Sequence, residues 1–276
     1  MKRKWTLIGA ALVLAIGMTG MLSACGGGGE AQITDAASLA AANQSAQAAA
    51  ESYHMDMDMN MELTLKMDGL QEVMDTESLT MPMTMKMSMD AGKETAHADS
   101  NTSMSLMGQS MDQDAEMYID MANGVTYTKA KGSDRWEKTE TDSSMSDMMN
   151  SVAEMSADLL AKAEYAETDS GYTLTMDAAE MGEALKETNL FGSYSEAGME
   201  FKEFNINGGE IVYTFDKESA LITKIEMKAV DVKAKGDMQG TAIDMQVPIT
   251  TTIEYSQYGE IEPAAYEIPA DVTGSK

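Results

Sequence analysis

The sequence predicts an α+β fold dominated by antiparallel β-structure. Two long segments alternate apolar and polar residues with period two, the strand-like segments after them are separated by hairpin-turn dipeptides, and helical periodicity is confined to a few capped stretches.

Taken in order, Ala31 to Glu51 is alanine-rich with Asp35 near its start and reads as a helix. From Tyr53 the period changes. Met55, Met57, Met59, Met61, Leu63, Leu65 and Met67 alternate with Asp56, Asp58, Asn60, Glu62, Thr64 and Lys66, a strand with one buried and one wet face. Met81, Met83, Met85, Met87 and Met89 repeat the pattern, with Pro82 expected near a strand start or an edge. Strands follow at Thr95 to Met107 and Ala115 to Met121, where Asn123-Gly124 turns the chain into Val125 to Lys129. Gly132-Ser133-Asp134 then turns it into Arg135 to Lys138.

The next segment is helical. Ser144 and Asp147 have capping-box spacing, and Met145, Met148, Met149, Val152, Met155, Leu159 and Leu160 form a stripe, so a helix is expected over Ser144 to Tyr165. A strand at Tyr172 to Met176 leads to a second box, Asp177 with Glu180, and a helix to about Thr188. The chain then returns to strands at Glu200 to Ile206, turns at Asn207-Gly208-Gly209, and continues through Ile211, Tyr213 and Phe215. Leu221 to Lys235 and Gly240 to Tyr258 are expected as long strands joined near Gly236-Asp237. Pro248 and the strand from Leu221 are the expected places for a bulge, which would exchange the two faces beyond it. Residues 35–276 are read as a single domain.

The segment ahead of that domain has a different purpose. Met1-Lys2-Arg3-Lys4 precedes an apolar run from Trp5 to Leu22, the pattern of an export signal. Leu22-Ser23-Ala24-Cys25 resembles the lipobox of bacterial lipoproteins, which implies cleavage between Ala24 and Cys25 and a diacylglyceryl group on the thiol. A run of about eighteen apolar residues can also just span a bilayer. What favours acylation is that Cys25 is the only cysteine, so no disulfide competes for it. Each acyl methylene contributes about 0.8 kcal/mol, and two or three chains on one residue hold a protein at a membrane. Residues 25–34, rich in glycine, serve as a flexible tether. The expected location is the extracytoplasmic face of the cell membrane.

The formal charge of −27 becomes about −30 once Lys2, Arg3 and Lys4 are removed. Such a surface excludes nucleic acid as a partner and keeps the protein soluble beside a polyanionic envelope. Catalysis is not expected, and no cofactor is. His54 and His97 are the only histidines, there is no Gly-x-Ser-x-Gly, and Cys25 is committed to lipid. Carboxylates are too abundant for any two to be singled out as a dyad. Trp136, Tyr118, Tyr127, Tyr213 and Tyr255 read as sheet-packing residues.

Two stretches are distinctive: Met117-Tyr118-Ile119-Asp120 with Val125 to Lys129 and Asp134 to Lys138, and the closing Tyr255-Ser256-Gln257-Tyr258-Gly259 with Ile268-Pro269. They resemble Gram-positive surface lipoproteins of unknown function grouped with LolA-like and LppX/LprG-like carriers. The resemblance implies a strongly curved antiparallel sheet, a half-barrel, with helices packed over its concave face and a lipid or lipopeptide pocket between them. Here the helix at Ser144 to Tyr165 would be the roof. The chain departs from those carriers in its methionine load and in having its own anchor, so local presentation or sensing fits it better than shuttling.

Of 29 methionines only Met1, Met18 and Met21 lie in the leader. Methionine is unbranched and polarizable, so a wall of it repacks around ligands of differing shape. The expected cavity residues are Met55, Met57, Met59, Met61, Met83, Met85, Met87, Met117, Ile119, Met148 and Met155. The expected function is therefore non-enzymatic binding of an apolar or amphiphilic ligand by a monomer. Two alternatives stand beside it. One is a soft-metal protein holding Cu(I) on thioethers, with His54 heading the first methionine run; no metal ligands are assigned, because side chains at i and i+2 of one strand lie roughly 6.5 to 7 Å apart and two strands would have to cooperate. The other is a structural or signalling lipoprotein whose interior is merely core.

Overall fold

The computed structural model describes residues 32–67, 76–106, 108–140, 160, 162–187, 199–238 and 241–274. After helix α1 (Ala36–Ala49) come strands β1 (Ser52–Met67), β2 (Leu79–Gly92), β3 (Thr95–Leu106), β4 (Gln109–Asp120), β5 (Val125–Ala130), β6 (Glu137–Glu140), β7 (Glu164–Glu167) and β8 (Gly171–Asp177). Helix α2 (Ala178–Glu187) separates these from β9 (Met199–Asn207), β10 (Glu210–Asp216), β11 (Ile222–Met238) and β12 (Thr241–Ser256). A single turn of 3₁₀-helix, Pro263–Ala265, and helix α3 (Ala270–Thr273) follow.

The strands form one open, antiparallel, 12-stranded sheet in the order β6-β5-β4-β3-β2-β1-β12-β11-β10-β8-β7, with β9 paired to β11. The first six strands are a meander of local hairpins. The last strand returns beside the first, so β1 lies between β2 and β12 and joins the two halves of the chain.

Local chemistry accounts for the element boundaries. Asp35 caps α1: its carboxylate accepts from Ser38 N at 2.8 Å while Ser38 Oγ accepts from Asp35 N at 3.1 Å. Asp177 caps α2 by accepting from Ala179 N at 2.8 Å. Asn123-Gly124 makes the expected turn, with Asp120 Oδ1 accepting from Asn123 N. Pro82 falls near the start of β2, as its missing N–H requires.

Three expectations are corrected. The helix expected to reach Tyr165 gives way to β7, whose Tyr165 pairs with Leu174; its main span lies outside the described residues. Strand β4 begins at Gln109 instead of Ala115, because Leu106 pairs with Gln109 across a tight turn in which Gly108 has φ +78°. Gly236-Asp237 is not a turn: Gly236 pairs with both Ile243 and Phe201 inside β11. Alternation there persists because a glycine can continue a strand flanked on both sides.

The expected bulge falls in β11 and not at Pro248. The β11–β12 register shifts by one residue between Met227 and Val230, with Ala229 at φ +53°, while the β1–β12 register is the same on both sides of Pro248. The shift has a clear effect. Ile225 and Met227 are buried before it, Val230, Val232 and Ala234 after it, so the bulge keeps apolar residues on one face where strict alternation would turn them outward.

Gly209 is the partner of that bulge. At φ +93° it packs so closely that a Cβ would come within 2.8 Å of the carbonyl oxygens of Lys228 and Ala229. Gly209→Ala is therefore expected to cost more than about 1 kcal/mol, seen as a lower urea midpoint at unchanged slope; an unaltered midpoint would show that the bulge is not held from this side.

Candidate functional site

The two faces of β1 to β5 differ completely, and pairing register defines them. On one face β1 and β2 set Met55 opposite Met89, Met57 opposite Met87, Met59 opposite Met85 and Met61 opposite Met83. Directly opposed residues have Cβ atoms about 4.5–5.5 Å apart, so the sulfurs form a ladder across the strands and not only along them. Met55, Met57, Met59, Met85, Met87 and Met89 are buried in one apolar cluster that also takes in Leu39 of α1, Met181 of α2, Ile225 and Ile253. Met61, Met117 and Ile119 pack on its margin half-buried, and Met83 is half-buried beside them. Cys25, Ala24, Met148 and Met155 lie outside the described residues; Leu160, from the same stripe as Met148 and Met155, is buried in the cluster.

Two residues of this interior were not singled out from sequence. Thr251 of β12 sits in register with Met59 on one side and Met227 on the other and is 2% exposed. Its Oγ1 finds no hydrogen-bond partner among the described residues, and neither does Oδ1 of buried Asn43 on α1. An unpaired buried polar group costs about 1–3 kcal/mol. Threonine is common in strands, so nothing in its sequence context distinguished Thr251.

The other face is hydrophilic and carries an open trough of about 780 Å³. One wall is the row Asp56, Ser88, Asp99, Glu116, Lys129; the other is Asp58, Lys86, Asn101, Asp114, Lys131. The backbone at Met57, Met87, Ser100, Ala115 and Ala130 forms the floor. Its charges are largely answered internally. Lys86 Nζ lies 3.3 Å from Asp58, Lys131 Nζ 2.7 Å from Asp114 and Lys129 Nζ 3.9 Å from Glu116. Hydrogen bonds from Lys131 and Asn101 hold the Asp114 carboxyl below its usual pKa. Exposed pairs of this kind are worth about 0–1 kcal/mol each, which makes the trough a well-solvated face.

Both histidines belong to this hydrophilic face. His54 Nδ1 is 2.7 Å from Asp90 and Nε2 is 3.2 Å from Asp56; His97, opposite Asp90 on β3, stacks on Tyr118 at 4.5 Å. His97 Nε2 is 3.4 Å from Glu116 but too poorly aligned to bond, and is buried without a partner among the described residues. The idea of His54 joining the methionine run is thus corrected. Successive strand side chains point to opposite faces, so His54 and Met55 are on different sides of the sheet. Among the described residues no three His, Cys, Asp or Glu are grouped to hold a metal ion.

Beyond the trough the C-terminal segment covers the end of this face. Ile268 and Val272 pack with Val125, Tyr127, Tyr118 and Trp136, and the Tyr266 ring lies over Gly92. Trp136 and these tyrosines are therefore packing residues. Among the described residues no helix is long and apolar enough to cross a membrane.

With this geometry in hand, the profile of a family of unknown function (DUF6612) matches residues 35–276. The chain belongs to this family. The matched span is the whole sheet with α1 at its start, so the two-faced architecture is that of the DUF6612 domain itself. No curated protein matches the chain. Among solved structures it is similar to the crystal structure of a beta-barrel-like protein, a domain of unknown function (DUF1849) from Brucella abortus. The two share 11% identity over 73% of this chain and 98% of that one, with a TM-score of 0.23, a likeness that carries no argument.

Two outcomes are expected. Met59 has no exposed surface; Met59→Ala is expected to cost about 2–5 kcal/mol and Met59→Leu under about 1.5 kcal/mol, by chemical denaturation. Burial opposes the charged form of His54, but the Asp90 hydrogen bond and the Asp56 charge outweigh it, and its pKa is raised. A raised folded-state value stabilises below the unfolded value and is lost as pH climbs through the folded one. The stability gap between wild type and His54→Gln is expected to be larger at pH 6 than at pH 8; equal gaps would mean the ring is not charged in the fold.

Proposed function

We propose that this DUF6612 protein is a membrane-anchored, extracytoplasmic lipoprotein that binds an amphiphilic, acyl-bearing ligand without catalysing its conversion. The observation that carries this is the methionine-lined interior with the unpaired hydroxyl of Thr251 set in its wall. Binding cavities for such ligands are mostly apolar with a few fixed polar groups. A plain core gains nothing from an orphan hydroxyl, and a methionine wall is a poor way to build a rigid one. The hydrophilic trough supports a ligand less well, because each of its lysines already faces a carboxylate. The anchor reading is supported by the charged and apolar leader that ends at Ala24, directly before the lone Cys25.

Native mass spectrometry of the soluble form beginning at Gly26, with organic extraction, tests the reading. An acyl-bearing molecule is expected to copurify, or added fatty acid to bind. Thr251→Val is expected to fold at least as stably as wild type, since it removes an orphan polar group, and to hold the ligand more weakly. A protein that arrives empty and takes up no added amphiphile would sink the proposal and leave the interior as core.

A further inference from the structure

One row of the methionine face, followed along β1 and β2 by the buried pair Leu63 and Met81, behaves differently from the rows nearer the start of β1. Ile249 of β12, Met61 of β1, Met83 of β2, Met104 of β3 and Met111 of β4 stand in register across five neighbouring strands. The next row toward α1 runs from Met59 and Met85 into Thr102 and Gln113, and the one after that from Met57 and Met87 into Ser100 and Ala115. Only the outer of these three rows stays thioether across β1 to β4. Its exposure rises along it: Ile249 is buried, Met61, Met83 and Met104 are half-buried, and Met111 is 41% exposed.

We propose that this row binds a soft monovalent cation, Cu(I) in the protein's natural setting, through thioethers of Met83, Met104 and Met111, with Met61 behind them. The proposal goes beyond amphiphile binding and does not depend on it. Thioethers select Cu(I), whereas hard divalent ions prefer oxygen. Along one strand, sulfurs two residues apart are roughly 6.5–7 Å apart and cannot share an ion. Across strands the Cβ atoms approach to about 4.5–5.5 Å, and three rotatable bonds let adjacent sulfurs turn toward one ion. Register thus supplies what the runs alone lack. The buried pairs Met57/Met87 and Met59/Met85 have the same spacing but no route for an ion, while this row opens at Met111. The chain's large negative charge concentrates cations around it.

The test is titration of the soluble form with Ag(I), a redox-inert stand-in for Cu(I), in competition with a chromophoric chelator and with methionine methyl groups observed by ¹³C NMR. Met83→Leu/Met104→Leu is expected to weaken the tightest site at least tenfold and Met57→Leu/Met87→Leu to leave it unchanged, with the methyl signals of Met83, Met104 and Met111 shifting first. Leucine keeps the apolar surface and removes only the sulfur, so amphiphile retention by the same variants reports separately on the ligand reading. Equal Ag(I) affinity in both double variants, or methyl shifts spread evenly over the methionines, would overturn the proposal.

Discussion

The alternation of β1 within a sheet that flanks it on both sides is the constraint on which the rest of the structure depends. Sixteen residues, Ser52 to Met67, pair with β2 on one edge and β12 on the other. A slip of one residue would carry Met55, Met57 and Met59 to the face now held by Asp56, Asp58 and His54. Burying those charges unpaired would cost far more than any local rearrangement recovers. The register of β1 is therefore settled by burial, and β2 and β12 inherit it.

The strands that follow keep to the same division by different means. Strand β2 does so by repeating the methionine alternation, so that like faces like over most of its length. Strand β11 cannot, because its apolar residues change parity, and the one-residue bulge at Ala229 restores them to the interior. The bulge in turn requires a partner without a Cβ, which Gly209 provides. At the far end, Val125 and Tyr127 point to the hydrophilic face and are covered by Ile268 and Val272 of the C-terminal segment. Each departure from simple alternation has an identifiable cover.

The two proposals divide along the same line, both being argued from the methionine face, one from its buried centre and the other from the row that opens at Met111. The charged face carries the trough and the His54 and Asp90 pair. Legibility differed accordingly. The buried partners of β1 and β2 were readable because period two names a face directly, and Asp35, Asn123 and Asp177 were readable because caps and turns act over three or four residues. Met104 and Met111 were not, because their row exists only once β3 and β4 are paired around Gly108. Thr251 was not, because whether a hydroxyl is orphaned depends on neighbours far away in the chain.

What the sequence determined by itself was local and periodic: which residues share a face, where chains turn and which ends are capped. Tertiary structure alone decided which strands are neighbours, hence that sulfurs oppose sulfurs across β1 and β2, that His54 stands away from them, and that β11 is bulged. The physical reason is that periodicity is imposed by backbone geometry within one strand, whereas pairing is chosen by burial summed over the whole sheet.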